Sequence, residues 1–365
     1  MSSIFWDHFP TNRRHLLGPV SGNSILEEVS ETEFRDMLIE CLTGRNPRIL
    51  TENWAQAKIY HGVFTGIEEM FIAGKESHPD FVADAPIEAA KFLQYHYKAE
   101  KNSPDRLKKD DIILCQWVCN LTNKGWDNIL QANSDNLIDW GNSVLSSIDK
   151  VAYGDKEKNI VNMTIYNASL AKKGGLKSAM GNLFESLLLY SGLSVCGLRF
   201  AKAEDFSSAK WPCFTLDVNE RRQVDAQIKT NLRQPGKINI DIGFIGKGNP
   251  EIIADKTQRF ANAAGSSKKP LHNTIIIVSA IPETEEAQLV VRQATMLGAQ
   301  VITMSGKNWV HVLGKVLKST GIQGLADIPE NINQAREQLN ETLPAPEEII
   351  QSIPKNLSVP EHWNS

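Results

Sequence analysis

This chain has no long hydrophobic run. No stretch of its 365 residues approaches the ~18 consecutive apolar side chains that a bilayer span needs. The opening MSSIFWDHFPTNRR lacks a charged start followed by an apolar core, so no secretory signal is read there. A soluble chain working in the cytoplasm is expected. Cysteine is scarce: Cys41, Cys115, Cys119, Cys196 and Cys213, an odd number at scattered positions. Cys115 and Cys119 would share a helix face, but no second Cys/His pair follows at zinc-site spacing. Buried thiols in a reducing compartment are expected instead of disulfides or zinc. Several enzyme signatures are also missing. KKGGLKS fails the spacing of a phosphate-binding loop. No helix opens directly after Gly243, Gly246 and Gly248, as a dinucleotide fingerprint requires. There is no HExxH, the eight histidines are dispersed, and no Ser/His/Asp set is evident.

Charge is modest as well, at 22% of residues and a net of −4. Its distribution says more. Residues 201–270 hold 12 Lys+Arg against 8 Asp+Glu, a local +4, so the remainder carries −8. A basic middle in an acidic chain suits a local cleft for a polyanion. A charged surface with no partner would look the same.

Residues 1–150 read as helical. A helix opens at Ser30-Glu31-Thr32-Glu33 and runs to about Cys41. Others span 53–72, closed by Gly74, then 86–98, a segment begun by Asp110 and Asp111, and 136–148. After Tyr153 the character changes. LKSAMGNLFESLLLYSGL (176–193) is a strong amphipathic helix, and Lys172, Lys173, Gly174 and Gly175 before it read as a short, solvated basic loop. LSVCGLRFAK (193–202) reads as an edge strand. RRQVDAQIKT (221–230) and KINIDIGFIG (237–246) flank the turn in NLRQPG and read as a hairpin. GKGNP leads into EIIADK (251–256), and a helix follows from about Asp255 to Gly265. HNTIIIVSAI and QVITMS are buried-type strands, each followed by a helix (285–297 and 308–318), which implies parallel pairing. Beyond 326 one more helix (330–342) and a loose tail are expected. The order predicts an α/β chain with a mixed sheet and helices packed on it.

The chemistry concentrates in DIGFIGKGNPEIIADKTQRF (241–260). Asp241 follows Ile-Asn-Ile on an otherwise apolar strand, and a buried carboxylate is costly unless it is paired or holds a cation. A tight turn and an adjacent strand would return Lys256 beside it. Glu251 and Asp255 add carboxylates, although Asp255 also suits a helix N-cap. Oxygen ligands suit Mg²⁺, and a lysine beside the metal can orient the attacking water. The set fits phosphodiester hydrolysis. Arg221, Arg222, Lys229 and Arg233 on or near the hairpin, with Gln258 and Arg259 after it, are candidate DNA contacts.

These parts, a helix carrying Glu, a hairpin, an Asp, a turn and a Lys, resemble the PD-(D/E)XK nuclease superfamily over about 175–320. IDIGFIGKGNPEI followed by DK and RF resembles more narrowly the type II restriction endonucleases of the CfrBI kind. The resemblance implies a restriction-endonuclease-like sheet core with an all-α N-terminal region, and Mg²⁺-dependent cleavage of both strands of duplex DNA that leaves 5′-phosphates. It implies CCWWGG as the site and a cognate methyltransferase protecting host DNA. By position, Asp241 would be the metal-binding Asp, with Ile240 replacing the family's Pro. Lys256 would be the motif lysine, and Glu185 the acidic residue of the first core helix.

The sequence departs from the pattern at Ala254, where the motif acid belongs. On a regular strand Glu251 and Asp255 would face away from Lys256. A bulge at Pro250 could re-aim Glu251 as second ligand, or Glu185 or Asp225 could serve. In a rival register Asp225 is the metal Asp and Asp241 the motif acid. Gly243 then holds the lysine position, and Lys247 or Lys256 substitutes. Asp241 is a ligand in both. The expected organisation is a helical region for dimerisation or DNA wrapping (1–165), the nuclease core (166–325), and a C-terminal helix and tail (326–365). A homodimer is expected because its symmetry matches a palindromic site. The competing readings are an inactive nuclease-fold DNA-binding protein and a repair or transposition nuclease.

Overall fold

The structure is a computed structural model. It describes residues 3–18, 20–45, 47–99, 110–121, 137–151, 154–210, 212–216, 225–232, 236–243, 274–281, 283–296, 298–353 and 357–364. The chain divides into two compact units, Met1–Glu28 with Trp54–Ala179, and Val29–Asn53 with Met180–Ser365. Among the described residues no helix is long and apolar enough to cross a membrane. All five cysteines are free and buried.

The first unit is helical, as its sequence predicts. It holds α1 (Ile4–His8), α2 (Gly22–Leu26), most of α4 (Pro47–Ser77), α5 (Ala85–Ala99), α6 (Asp110–Val118), α7 (Leu137–Val151) and the first part of α8 (Lys156–Val195). Gly74 does not close α4, which runs on to Ser77. A Cβ there would lie 2.3 Å from the Phe81 ring, so this glycine lets the ring sit directly on the helix backbone. Asn120, at φ 54°, ends α6. Leu121 N–H returns to Gln116 O at 2.8 Å, the bond of a left-handed helix cap.

Lys172 corrects a second expectation. Residues 172–175 are helical, part of the 40-residue α8, and Lys172 is only 4% exposed. Its ammonium donates to Leu17 O at 3.0 Å and to Gly18 O, and lies 5.5 Å from the Trp117 ring centroid. The glycine pair suggested a loop, but these partners hold the segment in the helix. Burial lowers the Lys172 pKa from 10.5 to about 8, with Asp110 pulling the other way. Between those values the unfolded chain binds the extra proton, so stability rises with pH across that window and the gain is lost as pH falls towards 8. Lys172→Met removes the titration. Urea midpoints taken at pH 8 and pH 10 should show a gain in the parent chain that the Met variant lacks. An equal gain in both would overturn the assignment.

The second unit carries a six-stranded sheet in the order β1 to β6. The strands are β1 (Arg199–Phe200), β2 (Cys213–Thr215), β3 (Ala226–Lys229), β4 (Lys237–Gly243), β5 (Thr274–Val278) and β6 (Gln300–Thr303). The pairs β2–β3 and β3–β4 are antiparallel, and β1–β2, β4–β5 and β5–β6 are parallel. The sheet is mixed, as expected, and the hairpin, β5 and β6 fall where the sequence places them. The edge pair differs. The sequence reading has no strand at Cys213–Thr215, which pairs with Arg199–Phe200.

Alternation fixes the two faces. Ile228, Ile238, Ile240 and Ile242 point to one face, with Phe214. There Tyr190 of α8 meets Phe200 and Phe214, with ring centroids 5.3 and 5.6 Å away. On the other face α10 (Glu285–Met296) covers β5 and β6 through Ile276, Val278, Ala294 and Ala299. The β2–β4 half of that second face is polar.

The remaining helices close the unit: α3 (Glu31–Leu42), α11 (Trp309–Ser319), α12 (Ile332–Thr342) and α13 (Pro346–Ser352). The short α9 (Ala203–Phe206) precedes β2. Ser30 and Glu33 form the capping box of α3, the signature its sequence shows. Arg35 donates to the carbonyls of Asn340 (2.7 Å), Leu343 and Pro344 (each 3.3 Å), satisfying the end of α12. The expected loose tail is packed: Ile349, Ile350 and Trp363 are buried. His362 and Trp363 both donate to Val29 O, at 2.7 and 2.5 Å.

Candidate active site

The hairpin brings two carboxylates together. Its ladder pairs Ala226 with Ile240, Gln227 with Asn239, Ile228 with Ile238, and Lys229 with Lys237. Just past the ladder, Asp225 lies against Ile240 and Ile242, the residues that flank Asp241. Asp225 N–H donates to Ile240 O at 3.0 Å, and Asp225 Oδ2 accepts Ile242 N–H at 2.8 Å. The carboxylate therefore takes the place of a backbone acceptor and pins the end of β4. Period two puts Asp241 on the polar face with Asn239 and Lys237, and cross-strand pairing puts Gln227 and Lys229 beside them. Asp241 is 2% exposed. Its neighbour on β5 is Ile276, so it borders the apolar half of the face. A charged group in that place raises the question of what it binds.

The rows below are polar too. Gln227 Nε2 donates to Asn239 Oδ1 at 3.0 Å. Lys229 Nζ donates to Ser207 O at 2.6 Å and to Ala209 O at 3.1 Å, which ties the hairpin to the segment after α9. Cys213 stands opposite Lys229. Burial raises its thiol pKa while Lys229 pulls it down, and the upward effect prevails, so the group stays a thiol.

Of the residues singled out from sequence, Asp225, Asp241, Lys229 and Glu185 are described. Glu185 lies half-buried on α8, next to the buried Phe184. Glu251, Lys256, Arg221, Arg222, Arg233, Gln258 and Arg259 lie outside the described residues, as do Lys247 and Ala254. Among the described residues no group of three His, Cys, Asp or Glu side chains gathers as a metal-binding set. Asp225 and Asp241 supply carboxylate oxygens at neighbouring positions, the donor type that suits a hard divalent cation. Sequence reasoning missed Gln227 and Asn239. Counting two residues back along β4 from Asp241, and two forward from Asp225, finds them.

A family model described as CfrBI restriction endonuclease matches residues 31–286. That span takes in α3, the hairpin and β5. The curated type II restriction enzyme CfrBI of Citrobacter freundii is 26% identical over 334 residues, covering 85% of this chain and 88% of that protein. No solved structure matches. The mixed sheet and hairpin described above are consistent with a restriction-endonuclease-like core, and the chain belongs to the CfrBI restriction endonuclease family, a type II restriction endonuclease by that membership.

Proposed function

We propose that this enzyme cuts both strands of duplex DNA at a specific sequence by Mg²⁺-dependent phosphodiester hydrolysis, leaving 5′-phosphate and 3′-hydroxyl ends. The observation that carries the reading is the Asp225 carboxylate bonded to the Ile242 amide, next to Asp241 on β4. It supports the register in which Asp225 is the metal Asp and Asp241 the motif acid. Both would hold the cation through carboxylate oxygens. When bound, Mg²⁺ supplies polarisation of the scissile phosphate and a more acidic water. Asp225 keeps one oxygen on the Ile242 amide, so the backbone of β4 fixes the direction of the other. In this register Gly243 stands where the motif lysine belongs, and Lys256 or Lys247 would orient the attacking water. Glu251 and Glu185 are further candidate acids.

Arg221, Arg222, Arg233, Gln258 and Arg259 would contact phosphates or base edges. Lys229, engaged by two carbonyls, serves in this reading to anchor the hairpin. A homodimer would match a palindromic site. The site implied by the family resemblance is CCWWGG, with a cognate methyltransferase protecting host DNA in the same cytoplasm. The helical region at 1–165 would dimerise or wrap DNA.

Incubating the protein with plasmid and Mg²⁺, with an EDTA control, tests the core of this. Discrete fragments with Mg²⁺ alone are expected, and sequenced fragment ends should fall in CCWWGG. Intact plasmid with a retarded gel band would favour the inactive DNA-binding reading, for which Ala254 speaks. A smear would favour a general nuclease. Sedimentation at working concentration reads the dimer.

A further inference from the structure

We propose that Gln227 and Asn239 are substrate-positioning residues that together grip the DNA phosphate next to the scissile one. The inference rests on the reading of Asp225 and Asp241 as the cation-binding acids. It extends that reading to the row of side chains below them.

Three observations support it. First, the register places Gln227 opposite Asn239, one row from Asp241 on the same face. The two-residue repeat of a strand is about 6.8 Å, on the order of one nucleotide step along a DNA strand. A strand with its scissile phosphate at the acids lays a neighbouring phosphate over this pair.

Second, among the described residues the pair bonds to nothing else. Its members are half-buried and bond to each other at 3.0 Å, with no other hydrogen bond among the described residues. Around them, Asp225 bonds to Ile242 N–H, Lys229 to the Ser207 and Ala209 carbonyls, and Lys237 lies 5.6 Å from the Phe206 ring centroid. Each amide offers two N–H donors and an acceptor oxygen. The mutual bond uses one N–H and one oxygen, leaving donors for a phosphate oxygen. Exchanging O and N of both amides leaves the same capacity.

Third, the pair costs the strand something. Asn is a poor strand former, and β-branched side chains would pack this cross-strand position better. The β5–β6 half of the same face does carry such residues, Ile276 and Val301. A departure from local consistency beside an active face is the mark of a functional position. Neutral amides can also donate to phosphate without cancelling the carboxylate charge that a cation needs.

The test uses duplexes carrying the cleaved sequence, each with one methylphosphonate at the phosphate on either side of the scissile one. For the parent enzyme, one of the two positions should cost about 10-fold in kcat/KM, the scale of a hydrogen bond to a charged group. On unmodified DNA, Asn239→Leu and Gln227→Met should lose about as much, carried by KM with kcat kept. They should then lose little more on the sensitive methylphosphonate, because the contact is already gone. Additive losses at both positions would overturn the proposal. Gln227→Glu replaces the donor with an acceptor, which the Asn239 amide can meet by turning over, and brings a like charge to the phosphate. It should raise KM more than the Met variant does. If the apolar variants fail to fold, this variant decides: a parental KM with undiminished methylphosphonate sensitivity overturns the proposal. Wild-type cleavage by Asp241→Asn would instead sink the reading of the acids, which separates the two failures.

Discussion

Asp241→Asn should slow plasmid cleavage about 1,000-fold or more, roughly 4 kcal/mol of transition-state stabilisation, while DNA binding persists. The amide keeps the shape of the side chain and removes the charge that would hold a cation. Because Asp241 is 2% exposed and lies inside β4, no surface carboxylate can swing into its place. Asp225 gives the finer experiment, since its carboxylate has two jobs. Asp225→Asn retains an oxygen for the Ile242 amide and should lose cleavage with little loss of stability. Asp225→Ala also strands that amide, at a further cost of about 1–3 kcal/mol, visible as a lower melting temperature. Gel retardation with intact duplex, and cleavage followed by electrophoresis, read both variants. Full cleavage by Asp241→Asn would remove the hairpin from the mechanism.

Trp309→Ala should destabilise the sheet-bearing unit by about 3–5 kcal/mol, the largest stability effect expected from one substitution. Its side chain is fully buried, and its indole N–H donates to Cys41 O at 2.7 Å. The ring also lies against Gly192 of α8, where an added Cβ would stand 3.1 Å from it. It therefore joins α3, α8 and α11 at one point. Trp309→Phe should cost less, about 1–3 kcal/mol, because packing is partly kept while the Cys41 carbonyl loses its donor. Urea unfolding read by circular dichroism measures both, and equal stability of the Ala variant and the parent would contradict this account.

The sequence carried some of these elements plainly and hid others for identifiable reasons. The hairpin was legible because a Pro-Gly turn separates two alternating runs. The strands at 274–278 and 300–303 were legible because they are short apolar runs next to amphipathic helices. The pair Arg199–Phe200 and Cys213–Thr215 was not, because strands of two and three residues have no periodicity to read. The helix through Lys172 was hidden by two glycines, since local propensity counts against it and only carbonyls more than 150 residues away in sequence supply its partners. The tail looked loose because its anchors, Arg35 and Val29, lie at the other end of the chain.

At the site, Asp241 was legible as a charge inside an apolar strand. Its partner was harder to choose. A pattern search from the lysine side stalls at Ala254. Asp225 comes next to Asp241 through the bond of its carboxylate to the Ile242 amide, which forms only once the turn brings the two strands together. The amide row needed that turn's register as well, and no linear motif announces it. The roles of Glu251 and Lys256 rest on the family resemblance.

The clasp of Trp363 on Val29 joins residues 334 apart in sequence, and Arg35 reaches Asn340 across 305. Both belong to the unit that bears the hairpin. On a ribosome adding about 5–20 residues per second, the segment at 29–53 waits roughly 20–70 s for these partners. The sheet-bearing unit therefore reaches its finished form only once the last of its partners has emerged. A stalled or truncated nascent chain would lack the clasp.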